Sequence, residues 1–351
     1  MTPLRIALTV PPMLPVPPVT YAGTERVVAH LITELTRRGH TITLFASGDS
    51  TADCEIVPIV EKSLWSTGYR GGVGSFIDVG LAKVWAQHDR FDLIHSHTET
   101  DGFLFARHCP TPVVTTLHGR LDVEGIPDLL AEFTDIPLVA ISDSQGRFYP
   151  NQNWIATVHH GLDLAGAPFE RAPGDYLVLV GRVTPEKGVA EAIEVARRTG
   201  LPLRMVAKVY DPHEQALFEE VVQPAVDEGI VEFLGELRPD ERDPIMAGAR
   251  ATLMLGAWPE PFGLVAIESM ATGTPVIARR AGALTETIRH GQDGFLVDDI
   301  DEALLAVAKV AELDREQIRA GVLSRFSLGR MADDYEDVYR LVLERTGRVS
   351  N

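Results

Sequence analysis

The sequence predicts an α/β protein made of two doubly wound parallel sheets. Short apolar, β-rich runs alternate with helical patterns along the whole 351-residue chain. The runs are continuously apolar, as expected of parallel strands that helices cover on both faces. Residues 163–175, which are rich in Gly, Pro and Ala and have no periodicity, separate two such sets of runs, so we place the domain join there.

Each predicted domain contains six strands. In the first domain, residues 1–165, they are 5–10, 41–46, 92–95, 112–117, 138–141 and 155–158. In the second, residues 172–330, they are 176–180, 203–207, 231–234, 251–255, 275–278 and 295–297. Residues 331–345 form an amphipathic helical pattern with no strand after it, so a terminal helix is expected.

Composition and charge exclude several classes of function. Thirty-two basic and fifty acidic residues give a net charge of −18, which argues against nucleic acid as a partner and against docking on anionic lipid. Cys54 and Cys109 are the only cysteines, so a reducing cytoplasm is expected and a disulfide framework is not. The first residues predict no signal peptide, and no apolar run is long enough to predict a membrane span.

Ligands of open α/β sheets bind beyond the carboxyl ends of the strands, so the loops at those ends identify the candidate site. The first strand runs into a long proline-rich loop rather than a G-x-G-x-x-G turn, which disfavours an NAD-dependent dehydrogenase. A helix follows, with Val27, Val28, Leu31, Ile32 and Leu35 on its predicted buried face and its end at Gly39.

The start of that helix, Gly23-Thr24-Glu25-Arg26, is a candidate ligand contact. A glycine permits close approach by a ligand, and the helix dipole favours an anion. An ordinary loop with a helix cap is the alternative interpretation of this segment.

Five of the eleven histidines follow predicted strands, namely His95, His97, His118, His159 and His160. A zinc site is one alternative, although no H-x-x-x-H spacing or cysteine partner supports it. Structural loop residues that donate to nearby carbonyls are another. His118 is the best functional candidate, because Gly119 leaves its backbone room beside a ligand.

In the second domain, Arg182 and Lys187 lie in the segment GRVTPEKG, at a strand end beside a helix start. Two fixed cations in an otherwise acidic chain suit a diphosphate, because arginine can donate two parallel hydrogen bonds and lysine supplies a compact positive charge. The spacing does not match a P-loop. The alternative is a solvated turn whose charges pair with Glu186 or Glu191.

Glu260 and Glu268 flank a Pro-Phe-Gly turn that opens an apolar helix. Glu260 is placed to meet a sugar, and Glu268 can accept hydrogen bonds from two hydroxyls of a ribose. The N–H groups of Gly263, Leu264 and Val265, which begin the helix after Phe262, would face phosphate. Two solvated glutamates beside a core helix are the alternative. The D-x-D in residues 298–301 precedes a helix, so N-capping explains it better than metal binding.

Taken together, these segments resemble the retaining glycosyltransferases of the GT-B fold, specifically glycosyltransferase family 4. The resemblance covers nearly the whole chain, and the order and separation of its motifs make the set specific. The motifs are AGTER at 22–26, TLHG at 116–119, VHHGLD at 158–163, GRVTPEKG at 181–188, FLGEL at 233–237, EPFGLVAIE at 260–268, GTPVIA at 273–278 and DGFLV at 293–297. The family usually has two glycines where this chain has Ala22-Gly23.

The resemblance implies a fold, a reaction and a role for each candidate residue. Two Rossmann-like domains would face a central cleft, with an acceptor domain first and a donor domain second. The terminal segment, about 331–351, would pack back on the first. The implied catalytic group is His118, Arg182, Lys187 and Glu260, and the implied substrate-binding group is Gly23, Thr24, Phe262, Gly263, Leu264, Val265 and Glu268.

The implied reaction moves a hexose, with retention, from a nucleoside diphosphate sugar to an acceptor hydroxyl, without a metal or another cofactor. Arg182 and Lys187 would neutralise the departing diphosphate. A small soluble acceptor is favoured over a lipid, since the chain is acidic and has no basic amphipathic segment. The alternatives are a glycoside phosphorylase, a sugar-nucleotide epimerase and a non-catalytic sugar-nucleotide binding protein.

Overall fold

A computed structural model describes residues 2–20 and 22–347. The chain forms two compact units, which we call unit 1 and unit 2. Unit 1 comprises Met1–Asp163 and Leu328–Asn351, and unit 2 comprises Leu164–Ser327. The expected terminal segment ends in residues 348–351, which lie outside the described residues.

The sheet of unit 1 is wholly parallel and has seven strands. They are β1 (Arg5–Thr9), β2 (Thr41–Ala46), β3 (Glu55–Pro58), β4 (Leu93–Ser96), β5 (Val113–Leu117), β6 (Leu138–Ala140) and β7 (Trp154–Thr157), in the order β3-β2-β1-β4-β5-β6-β7. The helices between them are α1 (Gly23–Arg37), α2 (Gly74–Trp85), α3 (Phe103–His108), α4 (Ile126–Glu132) and α5 (Asp143–Arg147).

The expectation of six strands in the first half of the chain was wrong by one, because it omitted β3. This strand is short, and none of its residues is buried. It pairs on one side only, with β2, and so forms the edge of the sheet. An exposed edge strand lacks the continuous apolar run that identifies a central strand of a parallel sheet.

Helix α1 follows from its apolar spacing. Its predicted inward residues Val27, Val28, Leu31, Ile32 and Leu35 are all fully buried. The helix ends at Arg37, and Gly39 follows with φ +94°, a left-handed conformation that glycine adopts without steric cost. The packed face fixes the position of the helix start beside the end of β1.

Unit 2 contains a second wholly parallel sheet, of six strands. They are β8 (Leu177–Arg182), β9 (Leu203–Lys208), β10 (Val231–Phe233), β11 (Ala251–Met254), β12 (Val276–Arg279) and β13 (Gly294–Val297), in the order β10-β9-β8-β11-β12-β13. The helices are α6 (Val189–Thr199), α7 (Pro212–Leu217), α8 (Gln223–Asp227), α9 (Pro239–Ala247), α10 (Leu264–Ala271), α11 (Leu284–Thr287), α12 (Ile300–Lys309) and α13 (Arg315–Arg325). All six strands expected in this half are present.

The last helix, α14 (Leu328–Arg345), belongs to unit 1. It packs on α1, β5 and β7, and its tyrosines Tyr335 and Tyr339 are fully buried. The Tyr339 hydroxyl hydrogen-bonds His95 Nδ1 at 2.9 Å, and the Tyr335 hydroxyl lies 3.1 Å from Thr116 Oγ1. Two strand-end side chains of unit 1 are therefore held from the last helix of the chain.

Two parallel α/β domains of this kind confirm the fold class expected from the sequence. No helix within the described ranges is long and apolar enough to span a bilayer.

Candidate functional site

Each sheet has one point at which the strand order reverses direction, and such points are where open α/β sheets bind ligands. In unit 1 the point lies between β1 and β4, and in unit 2 it lies between β8 and β11. The candidate residue Arg182 ends β8, Lys187 follows this strand, and Glu260 follows β11. The topology of unit 2 therefore brings these three residues to the carboxyl ends of two adjacent strands.

Lys187 and Glu260 are in direct contact within unit 2. The Lys187 Nζ donates to Glu260 Oε1 at 2.7 Å, and it lies 5.2 Å from the centroid of the Trp258 ring. The other carboxylate oxygen, Glu260 Oε2, is buried and accepts no hydrogen bond from any described residue. A buried carboxylate oxygen is stable only with a donor, so this oxygen is an acceptor available to a ligand hydroxyl.

Glycines allow the loops that carry this ion pair to pack closely. Gly188 has φ +70°, and a Cβ there would lie 2.3 Å from the Gly256 nitrogen. A Cβ on Gly282, at φ +56°, would lie 2.5 Å from the Glu260 nitrogen. Ala283 N donates to the Glu260 carbonyl at 2.9 Å. The turns after β8 and β12 thus fix the loop that presents Glu260.

Helix α10 begins directly beyond Glu260. Its N-cap is Gly263, at φ +88°, and no side chain caps the helix start. The side chains of Phe262, Leu264 and Val265 are buried, with Phe262 against the ring of Phe326 at a centroid distance of 5.8 Å. The N–H groups of the first turn, rather than these side chains, are thus the groups that a ligand could contact.

Glu268 lies in α10 as expected, but it is buried in an ion pair. Its Oε1 accepts from Arg242 Nη2 at 2.9 Å, and both side chains are only 2% exposed. Asp243 also accepts from the Arg242 guanidinium. The interpretation of Glu268 as a solvated glutamate is therefore wrong, because a cation and the surrounding protein enclose the carboxylate.

Arg182 does not contact Lys187 or Glu260. Its Nε donates to Glu214 Oε1 at 2.5 Å, and its Nη2 lies 3.5 Å from Asp211 Oδ2. The Arg182 side chain is 48% exposed, and its contacts with described residues are made by Nε and Nη2, not by Nη1. The two cations therefore pair with Glu214, Asp211 and Glu260, not with Glu186 or Glu191 as the alternative interpretation expected.

The D-x-D segment begins helix α12. Asp299 is the N-cap, and its side chain accepts from Glu302 N at 2.8 Å, which is the capping role expected from the sequence. In the part of the chain that the structure describes, no group of three or more His, Cys, Asp or Glu side chains is arranged to hold a metal ion.

In unit 1, Gly23 and Thr24 form the start of α1, beyond the end of β1. The N-cap, Ala22, provides no side-chain acceptor. Glu25 in the first turn is buried, with 6% of its surface exposed. Gly23 and Thr24 thus begin the helix that follows β1 in the chain.

The strand-end histidines of unit 1 form one cluster, which we call the histidine cluster: His95, His97, His118 and His160. Three of them are buried, and His118 is partly exposed. The His97 Nδ1 and His118 Nε2 atoms are hydrogen-bonded at 2.8 Å. Ring centroids are 4.0 Å apart between His95 and His97, and 5.3 Å apart between His118 and His160. Two buried ring nitrogens, His97 Nε2 and His118 Nδ1, have no hydrogen-bond partner among the described residues.

Burial keeps the histidine cluster neutral. It lowers the pKa of His95 and of His118 from 6.5 to about 3. It also lowers the pKa of His97 and His160 well below 6.5, with a further contribution from neighbouring imidazoles. His118 is therefore present as a neutral imidazole at physiological pH. His159 contributes its backbone carbonyl to Arg330 at 2.6 Å.

Several residues that contact the candidates or the peptide groups beside them were not identified from the sequence. They are Arg242 and Glu214 in unit 2, and Glu99 and Gln145 in unit 1. Glu99 and Gln145 each lie four positions after the end of a predicted strand, so the strand-end rule that selected the histidines also applied to them. Glu214 and Arg242 lie in helices α7 and α9, and no sequence signal distinguishes them.

Comparisons with known proteins give the family. The model of "Glycosyl transferases group 1" matches residues 168–320, and that of "Glycosyltransferase Family 4" matches residues 21–165. A D-inositol 3-phosphate glycosyltransferase of Thermobispora bispora is 31% identical over 79% of this chain and 77% of its own. A glycogen synthase of Mycobacterium tuberculosis is 26% identical over 91% of this chain and 89% of its own.

Solved structures agree on the fold. Sucrose-phosphate synthase from Thermosynechococcus elongatus has a TM-score of 0.79 with this chain, with 19% identity over 97% of this chain and 99% of its own. The Anabaena protein HepE, in complex with UDP and glucose, has a TM-score of 0.75 with 19% identity over 95% of this chain and 98% of its own. The chain is a glycosyltransferase with the GT-B fold and belongs to glycosyltransferase family 4.

Proposed function

We propose that this glycosyltransferase moves a hexose, with retention of configuration and without a metal, from a nucleoside diphosphate sugar to a hydroxyl of a small soluble acceptor. The observation that carries the proposal is the contact between Lys187 and Glu260 at the reversal point of the unit 2 sheet. It joins a cation suited to phosphate with a carboxylate suited to sugar hydroxyls.

The pair retains capacity for both parts of the donor. An ammonium group has three donors, and Glu260 uses one of them, so Lys187 can also donate to diphosphate oxygens. The buried Glu260 Oε2 can accept from a hexose hydroxyl. Glu260 therefore serves the donor sugar and Lys187 the leaving group, and neither acts as an acid–base partner of the other.

The leaving group needs compensation for the negative charge that it develops. Lys187, Arg182 Nη1 and the uncapped first turn of α10 are positive groups at adjacent strand ends of unit 2. Fixed positive groups of this kind stabilise a departing diphosphate without reorganisation. We assign the compensation of this charge to these groups, so the proposal requires no metal ion. Glu268, held by Arg242, is assigned to the ribose.

The roles of the unit 1 residues rest on the family resemblance. His118 is assigned to the donor sugar near the reacting carbon, and Gly23 and Thr24 are assigned to the phosphates. A neutral imidazole suits hydrogen bonding to a sugar hydroxyl, since it both donates and accepts. HepE is described in complex with UDP and glucose, and the Thermobispora relative is named for D-inositol 3-phosphate, which supports a hexose donor and a small polyol acceptor.

A thermal-shift panel tests the donor. The protein is heated with UDP, GDP and ADP, and with their hexose conjugates, with and without EDTA. One nucleotide series is expected to raise the melting temperature, and its hexose conjugate is expected to raise it further, equally in both buffers. A stabilisation that EDTA abolishes would refute metal independence. No stabilisation by any nucleotide sugar would refute the proposed donor.

Transfer is then measured with the donor so identified and a panel of small polyols. Lys187→Ala and Glu260→Gln are expected to lower kcat/KM by at least 100-fold, whereas Lys309→Ala and Glu219→Gln, at exposed positions, should leave it within twofold. His118→Ala should lower turnover more than nucleotide affinity. Anomeric NMR of the product tests retention, and inversion would refute it. Sugar 1-phosphate formed from a glycoside and inorganic phosphate would instead indicate a phosphorylase.

A further inference from the structure

The segment that presents His118 is held on several sides within unit 1. The His118 N–H donates to both carboxylate oxygens of Glu99, at 3.0 and 3.2 Å. The Gly119 N–H also donates to this carboxylate. The Gln145 Nε2 donates to the carbonyls of Leu117 and Gly119, both at 3.0 Å. These contacts fix both peptide groups that flank the His118 side chain.

Glu99 adopts a costly backbone conformation to make this contact. Its φ is +53°, and it is the one non-glycine residue with positive φ in the described part of the chain. Residues other than glycine rarely adopt this region, and it persists where surrounding contacts determine it. Gly119 has no side chain, and a Cβ there would come within 3.6 Å of the Glu99 carboxyl carbon. The carboxylate therefore lies close against the segment that it holds.

The ring of His118 is fixed separately from its backbone. His97 Nδ1 holds His118 Nε2 at 2.8 Å, which directs the other ring nitrogen, Nδ1, away from His97. That Nδ1 has no partner among the described residues. With its ring nitrogen paired on one side and its peptide clamped by Glu99, His118 has one orientation to offer to a ligand.

We propose that Glu99 is a positioning residue for transfer: its carboxylate clamps the N–H groups of His118 and Gly119 and so sets where His118 meets the donor sugar. This inference rests on the proposed function. Glu99 touches no reacting atom, and it acts through the backbone of His118. Substrate-positioning contacts of this kind affect rate strongly, because a displacement of about 1 Å can cost about 100-fold.

The charges around Glu99 are consistent with a carboxylate that responds to neutral pH. Burial, with a smaller contribution from Asp101, raises the pKa of Glu99 from 4.5 to about 7 against the opposing effect of the two backbone donors. Asp78 on α2 faces Asp101. His97 and His118 on the other side are neutral, so they add no compensating charge. Protonation of Glu99 weakens the clamp, since a charged acceptor forms the stronger hydrogen bond.

Glu99→Gln tests the clamp at nearly constant volume, and Asp101→Asn, at an exposed position of the same turn, is the matched control. Glu99→Gln is expected to lower kcat by about 10- to 100-fold, with nucleotide affinity within twofold, because Lys187 and Glu260 are untouched. Asp101→Asn should leave both within twofold. A Glu99→Gln enzyme with unchanged kcat, or with kcat and nucleotide affinity reduced alike, would overturn the inference.

A second measurement does not depend on activity. In wild-type protein labelled with ¹⁵N-histidine, the His118 amide resonance, assigned by its absence in His118→Gln, is expected to move with a midpoint near pH 7 as Glu99 titrates. A His118 amide with the same shift and the same pH dependence in Glu99→Gln as in the wild type would overturn the clamp. If the clamp is observed and no nucleotide sugar supports transfer, the proposed function fails rather than the Glu99–His118 contact.

Discussion

Acidification below pH 6.5 is expected to destabilise unit 1 through its buried histidines. The pKa of each member of the histidine cluster lies below the ordinary value of 6.5 in the folded protein. These histidines therefore stay neutral in the folded protein, whereas the same histidines of the unfolded chain take up protons. The stability contributed by the neutral histidines is fully present above pH 6.5, and it is lost as the pH falls towards the folded pKa.

The magnitude follows from linkage. Protonation of a histidine stabilises the unfolded state by about 0.4 kcal/mol at pH 6.5 and by about 1.4 kcal/mol at pH 5.5. Each histidine that stays neutral in the folded protein therefore lowers the free energy of unfolding by about 1 kcal/mol over this interval. The histidine cluster thus costs about 4 kcal/mol. His30, with its pKa lowered to about 4 by burial and by Arg26, adds about 1 kcal/mol.

Glu99 acts in the opposite direction. Its folded pKa of about 7 exceeds the ordinary 4.5, so the folded protein takes up this proton first as the pH falls. Protonation of Glu99 therefore raises the free energy of unfolding by about 1 kcal/mol between pH 6.5 and 5.5. The net loss is about 4 kcal/mol, against a total stability of about 5–15 kcal/mol for a folded domain. Carboxylates with lowered pKa values do not contribute here, because they titrate at lower pH.

The assay is urea unfolding at pH 7.5, 6.5 and 5.5, followed by tryptophan fluorescence. A Trp258→Phe background reports unit 1, because the remaining tryptophans all lie there: Trp65, Trp85 and Trp154. His97→Asn should lose about 1 kcal/mol less than its parent between pH 6.5 and 5.5, whatever its stability at pH 7.5. His108→Asn, at an exposed position of unit 1, is the control and should match its parent. A parent that loses less than about 1 kcal/mol over this interval would refute the reasoning.

Three further changes probe unit 2, each by urea unfolding at pH 7.5. Arg242→Met should cost about 3–5 kcal/mol, because it leaves the buried Glu268 carboxylate without its arginine, and an Arg242→Met, Glu268→Met double variant should recover most of the loss. Gly188→Ala should lower the free energy of unfolding by well over the ~1 kcal/mol expected for Gly229→Ala. Both glycines have positive φ, but only a Cβ at position 188 would meet backbone atoms, the nearest at 2.3 Å. Asp299→Ala should cost about 1 kcal/mol through loss of the α12 N-cap, with no change in EDTA; equal stability to wild type would contradict the capping role.

The sequence was sufficient for the fold because its central strands are continuous apolar runs. Helix α1 was predicted in the same way, since the spacing of its apolar residues alone identified its buried face. Strand β3 was not predicted, because an exposed edge strand of four residues carries no such run. The sequence pattern therefore predicts a strand or helix whose residues must be apolar because they are buried. It does not predict an element whose residues are exposed, because exposure does not require a particular residue type.

The candidate site was only partly predictable, for a different reason. Position beyond a strand end identified Lys187 and Glu260, but their contact joins residues that are 73 positions apart. The pairing of Arg182 with Glu214 depends on the turn after β9, which has no distinctive pattern. The burial of Glu268 with Arg242 depends on how α9 packs against α10. Partners of charged residues are set by tertiary packing, which residue spacing does not encode.

The most direct test of the central claim compares nucleotide with nucleotide-sugar affinity, by calorimetry, in wild type, Lys187→Ala and Glu260→Gln. We expect Glu260→Gln to bind the free nucleoside diphosphate as the wild type does and to lose the additional affinity that the hexose contributes. Lys187→Ala should bind both ligands more weakly by at least tenfold, about 1.4 kcal/mol. Equal affinity of all three proteins for the nucleotide sugar would contradict the assignment of Lys187 to the diphosphate and of Glu260 to the sugar.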